Sequence, residues 1–528
     1  MTHSSSVLSI GLIVSSDKIW RWQSELIQAL VHAQLVCVVK IIKKQNDLPA
    51  LSKAIAGLHK LDAMIFRTPI DAFERVELDL DSSCEVTCLS DEFVTYNGCD
   101  LDLWINLSER EINQSLKDTA KLGLLETHFS SHADAAALMS ENFGFSGFSR
   151  GDKQCYFSIV AYGSDGSSYV LAESQPSLDK GPLSRNLNQY WKLLEASWLR
   201  TCKKLQTKTF KALELSKVDF KHSEADTNSL GAYQNLGKVF LDKFSQKFLR
   251  KEQWVLLLKF HDLTASSSQI PLSFFEYSEI TPPDDCFWAD PFIVSENSRH
   301  YLFFEELPFA TERGHLSCME VFADGSHTAP TIILKKPYHL SYPNVFAFES
   351  EYFMIPESGD TGSIELYRSS EFPYQWKHQY NLMEGLHAYD STLIEYDGLW
   401  WLFACVAVEK GMSGCEELNI FYADTPVSQS WEPHLLNPIM SDASRARPAG
   451  KFFNWQGDLY RPSQDCAGSY GAGLNINKIH TLNKREYSEE LMSCSRPNWD
   501  PKLTALHTLN FNQYVSVADA MRVESRLF

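Results

Sequence analysis

Hydrophobic and polar positions follow one rhythm in the first part of this chain and another after about residue 250. Early on, short apolar runs alternate with stretches of helical spacing. Residues 7–14 and 35–42 read as buried strands, with shorter ones over 61–66 and 101–107. Between the first two, Ser15, Ser16 and Asp17 offer an N-cap, and Trp20, Ile27, Leu30 and Val31 supply an apolar helix face. Strands alternating with helices predict a parallel sheet covered by helices on both sides. From Asn186 to about Leu249 the spacing turns helical. Tyr190, Trp191, Leu193, Leu194, Trp198 and Leu199 recur on its apolar side, and Arg200, Lys203, Lys204, Lys208 and Lys211 read as a solvated face. The pattern predicts an α/β domain over residues 1–200, a helical linker over 201–250 and an all-β domain over 251–528.

The last region repeats itself. Each unit is a short strand, a turn, a second aromatic strand and a polar end. The first is Phe287-Trp288-Ala289-Asp290-Pro291-Phe292-Ile293 followed by Tyr301-Leu302-Phe303-Phe304-Glu305-Glu306. Three more begin at Ser341-Tyr342-Pro343, Ala388-Tyr389-Asp390 and Ala446-Arg447-Pro448. The period of roughly 50 residues is the size of one four-stranded propeller blade. Strand patterns near 254–277 and 500–520 can combine into a blade that closes the ring, which makes five.

Composition narrows the reading. The chain has 528 residues, more than one core usually holds, and a formal charge of -19. Without a basic stripe, nucleic acid and anionic membranes are poor partners. No apolar run reaches the length of a membrane span, and the start lacks a signal-peptide pattern. The 12 cysteines are scattered without CxxC, which fits reduced thiols in a cytoplasmic setting and argues against a cysteine metal site. Oligomeric state is not legible.

Repeat geometry gathers candidate chemistry. In a propeller the inner strand of every blade lines one axis, so Asp290, Tyr342, Asp390 and Arg447 should converge there. Glu306, Glu357 and Asp465 stand at the ends of second strands. Carboxylates with Arg and Tyr at such positions suit a sugar site, where one carboxyl handles a proton and another activates an acceptor or steadies positive charge. Asp290 is the expected base, Glu357 the acid, and Asp390 the group that tunes a neighbour. Trp288, Glu306, Tyr342, His387, Arg447, Arg461, Gln464 and Asp465 form the candidate binding set, with Arg447 suited to a phosphate or carboxylate. His387 and His507 read more readily as hydrogen-bonded structural residues. No clear metal motif is present: the His128/His132 pair lacks the Glu that a zinc protease places after its first His.

Two family resemblances follow from these motifs. The order of elements over about 7–200, with Glu126, His128 and Asp179, resembles the formyltransferase fold, a Rossmann-like parallel-sheet domain. Glu126 stands where that family has Asn, and an ionised Glu would repel the formyl oxygen. The resemblance therefore implies a vestigial site that does not use formyltetrahydrofolate. The first-blade Ala289-Asp290-Pro291 resembles the five-bladed arabinanase, xylosidase and fructosidase group. The motifs Phe287–Pro291, Tyr301–Glu306, Ser341–Pro343, Ile355–Ser358, Arg447–Gly450 and Tyr460–Cys466 more closely resemble the N-terminal domain of glucosamine inositolphosphorylceramide transferase. That resemblance implies a carbohydrate-active domain in surface-glycan or glycolipid biosynthesis and a bacterial chain. A carbohydrate or activated sugar is the implied partner, and a nucleotide-sugar the implied donor. The expected function is glycosyl transfer. Hydrolysis by the same carboxylates, formyl or acyl transfer through His128 and Asp179, and glycan binding without catalysis are the alternatives.

Overall fold

A computed structural model describes residues 7–15, 18–44, 74–78, 85–89, 100–108, 112, 114–129, 151–163, 167–178, 183–207, 238, 241, 245, 250–261 and 273–525. The chain divides into two compact units, Met1–Phe240 and Leu241–Phe528.

The first unit is an α/β domain on a seven-stranded sheet. Across the sheet the strands are Glu85–Leu89, Val36–Lys44, Leu8–Val14, Leu103–Asn106, Leu124–His128, Phe157–Tyr162 and Ser168–Ser174. The first five run parallel, whereas the last two are antiparallel. The sheet is therefore mixed, which corrects the all-parallel expectation. Strands 157–162 and 168–174 are joined by too short a connection for anything but a hairpin. The helices Arg21–His32 and Leu183–Gln206 meet through Trp22 and Trp191, whose rings stack 4.4 Å apart. The formyltransferase-like, Rossmann-like expectation thus narrows to an α/β domain. The strand expected at 61–66 and most of the linker expected at 201–250 lie outside the described residues. The described start of that linker, 201–206, continues the helix Leu183–Gln206.

The second unit is a five-bladed β-propeller. Blade 1 runs outwards through Cys286–Glu296, Arg299–Pro308, His315–Val321 and Thr331–Leu334. Blade 2 uses Ser341–Phe348, Glu351–Glu357, Ser363–Glu371 and Gln375–Glu384. Blade 3 uses His387–Tyr396, Leu399–Ala407, Glu417–Ala423 and Glu432–Pro433. Blade 4 uses Phe453–Trp455, Asp458–Asp465, Gly473–Leu482 and Tyr487–Ser495. Blade 5 closes the ring from both directions: Leu503–Ala505 and Leu509–Phe511 pair with Val515–Ser525, which pairs with Arg250–Phe260 and then Ser278–Ile280.

Each blade is buried on two faces, which explains near-continuous apolar strands such as Tyr301–Phe304. Successive side chains point to opposite neighbours. Phe303 packs towards blade 2 with Tyr342, Met354 and Trp376, while Leu302 and Phe304 pack towards blade 5 with Leu256 and Val517. Similar clusters fill the other three blade interfaces. Burying one such aromatic or aliphatic side chain contributes about 1.5–3 kcal/mol, so the wedge between blades is the main source of cohesion.

A bulge recurs at one level of the inner strands. Pairing shifts between Ala289 and Phe292, between Ser341 and Asn344, and between Tyr389 and Thr392, so two residues oppose one. The first bulged residue in each case, Asp290, Tyr342 and Asp390, has φ of 52, 45 and 53°. Non-glycine residues rarely hold that left-handed conformation, and Tyr less readily than Asp. Three repetitions at one level show that the blades are built to aim these side chains.

Candidate active site

The bulges bring two ion clusters to the propeller axis. The first joins blades 1 and 5. Asp290, 3% exposed, accepts a hydrogen bond from Thr508 Oγ1 at 2.8 Å and from the Tyr342 backbone N–H at 3.3 Å. Its own N–H donates to Asp519 Oδ2 at 2.8 Å. The His507 ring lies between the two carboxylates, 2.7 Å from Asp519 Oδ1 and 3.6 Å from Asp290 Oδ1, and stacks on Trp254 at 4.0 Å. Burial pushes the Asp290 carboxyl up to about 7, against the pull of His507 and helped by Asp390, Glu305 and Asp519. Burial alone would lower the His507 pKa, but Asp519 and Asp290 outweigh it and raise it to about 9.

The second cluster joins blades 2, 3 and 4. Arg447 Nε and Nη2 donate to Asp390 at 2.6 and 3.2 Å, and Nη2 also donates to Glu357 at 3.0 Å. Its Nη1 donates to the Gly414 carbonyl at 3.2 Å. The guanidinium lies 5.2 Å from the centre of Tyr389 and 5.0 Å from that of Tyr470. Gln464 Nε2 donates to Asp390 at 2.7 Å and to the Pro448 carbonyl at 3.0 Å. Burial pushes the Glu357 carboxyl well above its usual range, Arg447 opposes this, and Asp390 adds to it. One buried guanidinium therefore serves two carboxyl groups, and a proton on Glu357 relieves the imbalance.

The remaining expected residues occupy different settings. Tyr342 is fully buried and ties blades together, its hydroxyl 2.8 Å from Thr392 Oγ1 and accepting from the Gly450 N–H at 2.6 Å. Trp288 packs in the cluster between blades 5 and 1. Arg461 is committed to Glu489 on the outermost strand of blade 4, through bonds of 2.8 and 2.7 Å. Asp465 pairs with Arg496 and caps the Ala467 N–H at 3.0 Å. His387 Nδ1 lies 2.9 Å from the Gly359 carbonyl. Glu306 is not at the level equivalent to Glu357. Ala289 pairs with Glu305 as Ser341 pairs with Glu357, so the equivalent carboxylate is Glu305. Glu306 points to the opposite face, where it accepts from Ser317 Oγ at 2.6 Å and lies 3.4 Å from His315.

Four residues of the axis were missing from the sequence-based candidate set: Glu305, His507, Thr508 and Asp519. Asp519 had a legible signal, a carboxylate inside the apolar alternation Val515-Ser516-Val517-Ala518-Asp519-Ala520. Among the described residues, Asp290, His507 and Asp519 are also the set that could hold a metal ion, with one ligand atom each within 4.8 Å of the others. A protonated His507 already places a positive charge there, so a metal would have to compete with it.

In the first unit, Glu126 and His128 stand together at the end of one strand. His128 Nε2 is 2.9 Å from Glu126 Oε1 and 2.8 Å from the Tyr162 hydroxyl, and Asn106 Nδ2 donates to Glu126 at 2.9 Å. The third expected member, Asp179, lies outside the described residues.

The fold and this geometry define a five-bladed propeller with an acidic, buried axial site. Residues 274–499 are homologous to a family described as glucosamine inositolphosphorylceramide transferase 1, N-terminal. A protein of that transferase name from Oryza sativa subsp. japonica is 39% identical over 206 residues, covering 38% of this chain and 27% of that protein. Its counterpart from Arabidopsis thaliana is 35% identical over the same length, with the same coverage. The chain thus spans about a quarter of the length of the curated relatives it matches. These relatives are plant proteins, which corrects the expectation of a bacterial chain. Among solved structures, a family 117 glycoside hydrolase from Zobellia galactanivorans aligns at 12% identity and a TM-score of 0.33, covering 52% of this chain and 90% of that one. The Cellvibrio cellulosa α-L-arabinanase aligns at 12% identity and a TM-score of 0.29, covering 38% of this chain and 77% of that one. No helix among the described residues is long and apolar enough to cross a membrane.

Proposed function

We propose that the propeller cleaves a glycosidic bond, with Asp290 and Glu357 as its working carboxyl groups. One observation carries this: two buried carboxyl groups at one axis, both with raised proton affinity, each beside a cation and a third carboxylate. Cleavage needs one group to give a proton to the leaving oxygen and another to activate water or steady positive charge. Glu357 is the acid, because burial and Asp390 keep its proton on. Asp290 is the base, half ionised near neutral pH and fully so above it. Asp390, fixed by Arg447 and Gln464, sets the charge that Glu357 feels.

Hydrolysis is placed ahead of transfer because water is the only second reactant it needs. The relatives carry a transferase name, but the matched stretch is 27% of their length. Transfer from a nucleotide-sugar donor to a glycolipid or surface-glycan acceptor is the second reading, favoured by that name. Formyl or acyl transfer in the first unit rests on His128 lying at the end of a parallel strand, where α/β sheets place their sites. A cytoplasmic setting belongs to the transfer reading.

The test uses the whole chain with a panel of 4-nitrophenyl glycosides, in water and with nucleotide sugars plus acceptor. Release of nitrophenol that Asp290→Asn cuts on the order of 100-fold or more is the expected result, and Glu357→Gln should lose cleavage of the matching methyl glycosides, whose alkoxide leaving group needs the acid. Near-normal turnover in both variants overturns the propeller site, and turnover that requires a nucleotide sugar replaces hydrolysis with transfer.

A further inference from the structure

Two thiols stand behind the Arg447 cluster and have no role in the chemistry above. Cys415 ends the loop between the second and third strands of blade 3, and Cys466 directly follows the second strand of blade 4, Asp458–Asp465. Neither is in a disulfide, and both are buried, Cys415 at 9% exposure and Cys466 at 2%. Their side chains are hydrogen-bonded to each other across the blade interface. Chain neighbours tie both to the ion cluster. The Gly414 carbonyl, next to Cys415, accepts from Arg447 Nη1 at 3.2 Å. Gly414 is pressed on the Tyr389 ring, where a methyl group would come within 2.2 Å, so the backbone beside Cys415 is held at the interface. The Cys466 sulfur lies 3.7 Å from Gln464 Oε1, and Gln464 Nε2 holds Asp390 at 2.7 Å. Two thiols in contact, each fixed by packing in a different blade, meet the first requirement of a disulfide.

We propose that Cys415 and Cys466 form an oxidant-modified site, at which hydrogen peroxide closes one disulfide between blades 3 and 4. The two sulfurs have different parts in it. Contact with Cys466 lowers the Cys415 pKa, which burial opposes and Arg447 assists. The Cys466 pKa is pushed well above its usual range, by Cys415 first and by burial next. Cys415 is therefore the sulfur that ionises, and the thiolate is the nucleophile. It attacks the O–O bond and keeps one oxygen as a sulfenic acid, while the other leaves as hydroxide and takes up the proton that Cys415 gave up. Cys466 then attacks the Cys415 sulfur, and the S–OH oxygen leaves as a second water with the Cys466 proton. Two thiols and one peroxide give one disulfide and two waters, the sulfurs supplying both electrons. An oxidant hardly larger than two waters suits sulfurs this enclosed. The cross-link would join the Gly414 and Gln464 supports of the Asp390–Arg447 pair into one covalent unit. None of this rests on the glycosidic-bond reading.

The test uses the full chain, reduced with dithiothreitol, desalted and titrated with hydrogen peroxide. The protein is then alkylated in denaturant and mapped by mass spectrometry without reduction. Wild type should yield one peptide pair joined through Cys415 and Cys466, which dithiothreitol returns to two thiols. Cys466→Ser should stop at a sulfenic acid on Cys415 that dimedone traps, whereas Cys415→Ser should leave Cys466 a thiol at the same dose. The exposed Cys37 and Cys494 report whether the oxidant was sufficient. If they are oxidised while Cys415 and Cys466 are both alkylated as thiols, the proposal fails. A disulfide from either sulfur to Cys405, the third buried thiol near Arg447, overturns the pairing as well. The wild-type map decides between these outcomes even where a variant does not fold.

Discussion

The two ion clusters on the propeller axis bury similar carboxyl groups, yet they differ in the cation that holds them. Asp390 and Glu357 are held by Arg447, whose guanidinium stays charged at any working pH. Asp290 and Asp519 are held by His507, whose charge depends on conditions. In the first case the cation is permanent, and Glu357 is the group whose proton affinity burial raises. In the second, cation and base titrate together, and each sets the other's proton affinity. Burial raises the cost of charge in both, but the identity of the neighbour decides which carboxyl group is free to do acid–base work.

Breaking the locked cluster should have the largest effect. Arg447→Met would leave Asp390 and Glu357 buried without their cation, and should cost roughly 3–5 kcal/mol of stability, read from denaturant unfolding. Arg447→Lys, which keeps charge but not the two-pronged bond, should fall between. A variant as stable as wild type would show that the guanidinium is not what fixes this side.

The titrating cluster should break differently. Asp290→Asn can still accept from the Tyr342 N–H and would donate to Thr508 Oγ1 instead of accepting from it, while the base is removed, so turnover should drop on the order of 100-fold or more. In wild type, turnover should rise with pH through about 7, where Asp290 ionises. Asp390→Asn should instead act on both stability and rate, because Arg447 loses its closest partner.

Stability against pH sharpens the contrast next. His507 has a pKa raised from 6.5 to about 9 in the fold, so its contribution is fully present below 6.5 and lost as pH rises through 9. Asp290, raised from 3.8 to about 7, favours the folded state most when protonated, and its contribution fades over that window. Both therefore make the propeller less stable as pH rises, Asp290 between about 3.8 and 7 and His507 between 6.5 and about 9, the latter by on the order of 3 kcal/mol. His507→Gln should flatten that slope, and a slope that persists would place the titrating group elsewhere.

Much of this contrast is legible in the sequence. The repeat Ala-Asp-Pro, Tyr-Pro, Asp-Ser, Arg-Pro fixes a common level, and propeller symmetry brings Asp290, Asp390 and Arg447 to one axis. Glu357 could be read the same way. Glu306 was misplaced because two adjacent glutamates end the same strand and a one-residue slip reverses the face. Only the pairing of Ala289 with Glu305 tells them apart. Arg461 was drawn into the site by its motif, whereas the ion pair with Glu489 depends on the register of an outer strand that repeats weakly. His507 and Asp519 were missed as site residues because the closing blade is assembled from both ends of the unit, so the period does not predict where its inner strand starts. In the first unit the two edge strands are legible as strand-like runs at 154–162 and 169–174, but their antiparallel direction is not, because buried apolar runs look alike in either direction.

The smallest effect should come from Tyr470, which touches both clusters. Its ring lies 5.0 Å from the Arg447 guanidinium and 5.4 Å from the His507 ring, while the residue remains 43% exposed. It can therefore favour either cation through its π face or shield both from water. A partly exposed cation–π contact contributes about 0.5–1 kcal/mol, so Tyr470→Leu should cost that much and leave the fold intact. The informative quantity is the coupling. In a double-mutant cycle, Tyr470→Leu should couple measurably to Arg447→Lys, because the guanidinium presents a broad face to the ring. Its coupling to His507→Gln should be weaker, since that ring meets Tyr470 edge-on at 84° and its charge is answered by Asp519. Equal coupling to both would mean that the two clusters act as one network, and that the permanent and conditional cations are not independent.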